Sequence, residues 1–259
     1  MDHPQPLDAD SSAAFAQIRL IATDMDGTLT QAEQFRPAML AALERLQAAA
    51  LPVVIVTGRS AGWVSGLAHY LPIVGAIAEN GGLYFSKTHP EPTFLQPIID
   101  IQQHRQKLSS QFQRLRQRYP ALAPSADNQF RLTDWTFDVT GLSQADLHWM
   151  ATSCEQNGWG FTYSTVQCHI KPLAQAKAAG LAQALSQGFP ALKPAQVLTV
   201  GDSPNDESLF DAAQFPNSVG VANIRDYLAH LTHQPAYITT QAAGAGFCEL
   251  VDYLLAAQP

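Results

Sequence analysis

Ile18-Arg19-Leu20-Ile21-Ala22-Thr23-Asp24-Met25-Asp26-Gly27-Thr28 joins a short β-prone run to a glycine turn that carries two carboxylates. Where a buried strand opens into such a turn, the first aspartate can face a ligand while the turn brings the second round to the same site. One can then act as nucleophile and the other as general acid/base, provided a cation offsets their repulsion. Taken alone, the segment also reads as an Asp-Gly turn with a helix cap.

Further along, leucines at helical spacing (Leu40, Leu43, Leu46) predict a helix over 37–50, and 51–56 reads as a second buried strand ending in Thr57-Gly58-Arg59. A short helix over 61–70 and a third strand over 73–78, ended by Asn80-Gly81-Gly82, follow. Alternating helices and continuously apolar strands predict an α/β fold built on a Rossmann-like parallel sheet covered on both faces. Ligands of such sheets bind outside the carboxyl ends of the strands, where Asp24, Thr57 and Asn80 all fall.

The middle of the chain has a different pattern. A polar amphipathic helix is expected over 98–119 and another over 143–157 with Ser143 as N-cap. Strands are expected at 130–132, 135–139, 161–166 and 168–170. The first pattern then returns, with a helix over 174–187, a strand over 196–200 ended by Gly201-Asp202, a helix starting at 207–213, a strand over 218–222 and a closing helix over 246–256. The expected organisation is a flexible tail at 1–16, a parallel-sheet core from 17–87 and 170–259, and an inserted α+β unit at 88–169.

Hydrophobic residues are 46% of the chain and charged residues 14%, which suits a compact globular protein. The net charge of −7 argues against broad nucleic-acid binding but not against a small anionic substrate. Cys154, Cys168 and Cys248 form no Cys-x-x-Cys pair, so neither a disulfide framework nor a zinc site is indicated, and a reducing cytoplasm fits. Met1 to Gln17 lacks the basic-then-apolar order of a secretory signal. The apolar run at 51–56 is too short to span a bilayer.

A second acidic cluster, Gly201-Asp202-Ser203-Pro204-Asn205-Asp206, also follows a buried strand. Asp202 with Asp24 would offer Mg²⁺ the carboxylate oxygens it prefers, although Ser203, Asn205 and Asp206 are also ready helix caps. The hydroxyl of Thr57 and the backbone N–H groups after it can hold a phosphate oxygen. Lys171 and Lys177, before and in the helix that follows the insertion, are the candidate cations.

Asp-x-Asp-Gly-Thr, Thr-Gly-Arg, a lysine and Gly-Asp-x-x-Asn-Asp, in that order, resemble the haloacid dehalogenase superfamily and, within it, the Cof-type class-IIB sugar-phosphatase-like branch. The resemblance spans all but about the first 16 residues. It implies that Asp24 forms an aspartyl-phosphate and that Asp26 protonates the leaving oxygen and then activates water. It also implies that Thr57, with Gly58 and Arg59, binds the phosphoryl group. Mg²⁺ would be held by Asp24, the backbone carbonyl of Asp26 and Asp202. Asn205 and Asp206 would support phosphate or metal, with Asn205 placed on the phosphate side and Asp206 on the metal side.

The branch carries its phosphate-binding lysine seven residues after an isoleucine. That register favours Lys177, after Ile170, over Lys171, although Ala178 stands where the family usually has glycine. Asn80-Gly81-Gly82 matches the branch's Asn-Gly element, and Asn80 is expected at the substrate. The insertion corresponds to a cap that closes over the site, and Arg131, Trp135, Asp138, Tyr163 and His169 are its candidate substrate contacts. Likeness to mannosyl-3-phosphoglycerate and sucrose-phosphate phosphatases implies a phosphorylated sugar or sugar-derived acid as substrate. A phosphomannomutase-like phosphotransferase and a non-catalytic ligand-binding protein are the alternatives. No nucleic-acid or membrane partner is expected, and the oligomeric state stays open.

Overall fold

The computed structural model describes residues 4–8, 12–89, 91–164 and 166–258. The first part of the chain forms β1 (Gln5–Pro6), α1 (Ser12–Phe15), β2 (Leu20–Thr23), α2 (Pro37–Ala48), β3 (Val53–Val56), α3 (Ala61–Tyr70), β4 (Gly75–Ala78), β5 (Leu83–Ser86) and β6 (Thr93–Phe94). The middle forms α4 (Ile101–Arg118), β7 (Trp135–Asp138), α5 (Gln144–Gln156), β8 (Trp159–Tyr163) and β9 (Gln167–Pro172). The last part forms α6 (Lys177–Gly188), β10 (Val197–Gly201), β11 (Asn217–Gly220), β12 (Tyr237–Ile238) and α7 (Ala243–Ala257).

A nine-stranded sheet runs in the order β1-β12-β11-β10-β2-β3-β4-β5-β6, and a three-stranded antiparallel sheet runs β7-β9-β8. The large sheet is parallel from β1 to β4 and turns antiparallel only at β5 and β6. Alternate residues of its central strands feed different cores, because side chains of a strand point to opposite faces. Ile21, Val53 and Ile55 pack with Leu43 and Leu46 of α2 and Leu250 of α7. Leu20, Ala22, Val54 and Val56 pack with Leu181 and Leu185 of α6. With both faces covered, every residue of β2 and β3 is apolar or buried threonine, as the continuous apolar runs require. The middle unit has its own core, where Leu108, Phe112 and Leu115 of α4 meet Leu147, Met150 and Cys154 of α5 over Phe137 and Ile170.

Several local expectations are corrected. Gln5–Pro6 pairs with Tyr237–Ile238, and Leu7 and Phe15 are buried, so the described part of 1–16 is packed on the sheet edge rather than a free tail. Residues 1–3 and 9–11 lie outside the described set. The core sheet continues into the expected insertion through β6, and β9 carries the small sheet on to Pro172. No strand forms at 130–132. Ala126–Phe130 is a 3-10 turn, and the amides of Leu132 and Thr133 donate to the Glu79 carboxylate instead of to a neighbouring strand. The helix expected to begin at Glu207 is a 3-10 segment, Pro204–Phe210, whose Leu209 carbonyl accepts from the Thr199 hydroxyl. Among the described residues, no helix is long and apolar enough to cross a membrane.

Candidate active site

Strands β2, β3, β4 and β10 end at one edge, so the residues that follow them converge. Asp24 leaves β2 with its N–H donating to the Val200 carbonyl of β10 at 2.9 Å, which fixes its backbone at the centre of that edge. Carboxylate oxygens of Asp24, Asp202 and Asp206 lie within 4.8 Å of one another, all buried. Lys177, the first residue of α6, donates to Oδ1 of Asp24 and, at 2.7 Å, to Oδ1 of Asp206. Oδ2 of Asp206 accepts from the amides of Asp202 (2.9 Å) and Ser203 (3.1 Å), which closes the turn after β10. Asp202 accepts from Thr28 Oγ1 at 3.0 Å and from Asn223 Nδ2 at 2.7 Å. Gly27 makes this approach possible, because its φ is +82° and a Cβ there would collide with Asp202 Oδ2.

The charges do not balance. Three buried carboxylates face one ammonium. Burial pushes the Asp24 carboxyl up to about 7 even though Lys177 pulls it back. Burial, then the charges of Asp24 and Asp206, drives Asp202 well above the ordinary carboxylate range. Burial would lower Lys177, but Asp206 and Asp24 outweigh it and hold the ammonium protonated. An all-oxygen donor set with excess negative charge fits a hard divalent cation such as Mg²⁺. One ion would remove the repulsion that raises Asp24 and Asp202.

The side chain of Asp26 sits outside that trio. Arg59 grips it at both oxygens, Nε at 2.8 Å and Nη2 at 2.7 Å, so the arginine expected at the phosphate holds the expected acid/base instead. Thr57 is buried and its Oγ1 accepts from the Arg59 amide at 3.1 Å. Asn80, at φ +54°, accepts from Asn205 Nδ2 at 3.1 Å, and its own Nδ2 has no hydrogen-bond partner. Asp24, Asp26, Gly58, Arg59, Asn205 and His169 line a small cavity of about 20 Å³, to which Ser164, Val166 and Gln167 of the insertion also contribute.

Of the five residues expected to meet substrate from the insertion, His169 alone lines that cavity. Its Nδ1 bonds Asp134 at 2.8 Å, and burial lowers its pKa despite that carboxylate. Arg131 is buried and structural in its contacts: Nη1 reaches the Gly58 carbonyl (2.9 Å) and Asp134 (3.0 Å), and Nη2 reaches Asp127 and Gln167 (2.8 Å each). Trp135 packs in the insertion's core beneath Arg105, Tyr163 leans towards Gln144, and the exposed Asp138 bonds the Thr140 amide. Lys171 bonds the Gln175 carbonyl and does not reach Asp24. Asn223, Thr28 and Glu79 also build the site, outside the residues that the sequence motifs single out for it. Thr28 stood inside the first motif, and Asn223 follows a strand end as Asp202 does. Glu79 gave no signal beyond preceding Asn80.

Residues 21–119 match the sequence model of the haloacid dehalogenase-like hydrolases. A phosphoglycolate phosphatase of Methanothrix thermoacetophila is 27% identical over 252 residues, covering 93% of this chain and 98% of its own. The Thermoplasma acidophilum protein 0175 superposes with a TM-score of 0.74 at 20% identity, covering 92% of this chain and 98% of its own. The sucrose-phosphatase of Synechocystis, solved with sucrose and phosphate, superposes with a TM-score of 0.66 at 19% identity, again over 92% and 98%.

Proposed function

We propose that this chain, whose residues 21–119 match the haloacid dehalogenase-like hydrolases, hydrolyses a small phosphate monoester through a phosphoryl group carried on Asp24. One observation supports this above the others: a buried carboxylate at the central strand end touches a lysine, Lys177, and shares its pocket with two further carboxylates. A nucleophilic carboxylate needs that lysine to neutralise the incoming phosphoryl oxygens.

In the proposed reaction Asp24 attacks phosphorus, and the bond to the leaving oxygen breaks with its electron pair going to that oxygen. Asp26 supplies the proton. In the second step Asp26 takes a proton from water, which attacks the acyl phosphate, frees inorganic phosphate and regenerates Asp24. Because Arg59 holds both oxygens of Asp26, this residue must leave the ion pair to act. Asp24, Asp202 and the Asp26 carbonyl would hold Mg²⁺, which when bound supplies charge neutralisation for the carboxylates and the phosphoryl oxygens. Asp206 orients Lys177 and closes the turn. Thr57, the amides after it and Asn205 complete the phosphate cradle, and His169 and Gln167 wall the leaving group from the insertion side.

The substrate is a small phosphorylated acid or sugar. Phosphoglycolate, named in the archaeal relative, is the first to test. Purified protein should release phosphate from members of a phosphomonoester panel with Mg²⁺ and stop on addition of EDTA. Activity that survives EDTA, or that survives in Asp24→Asn, would overturn the reading.

A further inference from the structure

One buried cation outside the acidic cluster lacks a counter-ion. Lys171, on β9, is 8% exposed, and its Nζ donates to the Gln175 backbone carbonyl. Among the described residues no carboxylate lies within ion-pair distance of it. Asp134 is the acid whose charge it feels, and both Asp134 oxygens are already taken by Arg131 and His169. An ammonium carries three donors, so two of Lys171's have no protein acceptor among the described residues. Burial without an anion pulls its pKa down to about 8.

Lys171 lines a second cavity, of about 250 Å³, between the insertion and the core. Lys177, Asn80, Asn205, Thr162 and Ser208 share its wall. Asn80, also on this wall, has a buried Nδ2 without a partner that lies on the Gly58 side, towards the first cavity. The acid on the wall, Glu207, is turned to the amides of Thr232 and His233. Space beside Lys171 is kept by Gly160, its register partner on β8, where a Cβ would lie 3.2 Å from Nζ. Asn205 lines this cavity and the one that holds Asp24 and Asp26, so the two meet at the phosphoryl site.

We propose that Lys171 binds a carboxylate carried on the substrate while Asp24 and Lys177 take its phosphoryl group, which makes Lys171 a specificity residue for phosphorylated acids. This rests on the phosphatase reading of the Asp24 site. Two lysines lining one cavity match a ligand with two anionic ends, and a neutral leaving group would leave Lys171 buried and unpaired.

The test compares 2-phosphoglycolate with ethyl phosphate, which lacks the carboxylate. The wild-type protein should prefer 2-phosphoglycolate in kcat/KM, and Lys171→Met should cut that preference roughly 30-fold or more, mainly through KM. Lys171→Arg should keep part of it. Gly160→Ala, which crowds Nζ without removing it, should lower the preference in the same direction. Calorimetric binding of both compounds to Asp24→Asn and Asp24→Asn/Lys171→Met gives the same ratio without turnover, so it still decides the matter if phosphate release fails. A lysine that merely pins the Gln175 carbonyl would weaken both compounds alike. An unchanged ratio in Lys171→Met, or no preference in the wild type, overturns the proposal.

Discussion

Asp202 and Asp134 are equally buried, yet their surroundings push them in opposite directions. Asp134, at the root of the insertion, is pushed up by burial, and the Arg131 guanidinium with His169 more than reverses it. Asp202, in the core, is pushed up by burial and pushed further by Asp24 and Asp206, with Lys177 too heavily shared to offset them. A buried carboxylate with a cation fixed against it belongs to the architecture. One surrounded by other carboxylates marks a place where a mobile cation and a charged substrate complete the balance. The two halves of the molecule therefore hold buried charge for different ends.

Asp24→Asn should separate the two ends most sharply. Turnover should fall on the order of 10⁴-fold or more, while the thermal midpoint of metal-free protein should hold or rise because a repelling charge is removed. Arg131→Met should do the reverse in kind. It strands Asp134 and releases the Gly58 carbonyl, and should cost about 3–5 kcal/mol in urea unfolding. A loss under about 1 kcal/mol would show that Arg131 is not a fixed counter-ion to Asp134. Mg²⁺ at about a hundred times its Kd should add about 3 kcal/mol to the wild type, and this gain should vanish in Asp202→Asn.

The smallest effect concerns pH. For Asp134 the folded pKa lies below the ordinary value, so its contribution is complete above about pH 4 and is lost as pH falls further. For Asp24 and Asp202 the folded pKa is raised, so the folded state binds the extra protons and metal-free protein loses stability as pH climbs from about 4 towards 7. Asp202→Asn should flatten the upper slope and Asp134→Asn the lower one, read from thermal midpoints across pH in EDTA.

The strand ends were legible because each couples a continuous apolar run to a glycine or acidic turn. Asp24, Thr57, Asn80 and Asp202 then follow from the parallel topology alone. The isoleucine register placed Lys177, not Lys171, at Asp24. What stayed hidden depended on partners distant along the chain. The amides of 132–133 find Glu79, 53 and 54 positions earlier, so an alternating pattern that resembled a strand became a loop. Arg59 meets Asp26 across two strand ends, which neither motif announces by itself. Leu7 and Phe15 are two apolar anchors in an otherwise polar stretch, enough to seat the edge strand but too few to register as an element. Trp135 and Tyr163 were read by residue type, and the small sheet's own core claims both.

The turn at 79–82 also governs what recombination can do with this protein. Glu79 receives the amides of Leu132 and Thr133, its backbone carbonyl accepts from Gln175, and the Gly81 carbonyl accepts from Gln96 at 3.3 Å. Gly81 itself, at φ +100°, packs so closely on the Ala176 carbonyl that no Cβ would fit. Both chain crossings between core and insertion are thus moored to a core turn of four residues. A chimera that exchanged only the insertion would present foreign crossings to a mooring cut for these, leaving the buried Glu79 carboxylate with the Ala61 amide but without its donors from residues 132 and 133. A graft that carries residues 79–82 together with the insertion keeps the joint intact, so the exchangeable module is larger than the insertion by one short loop.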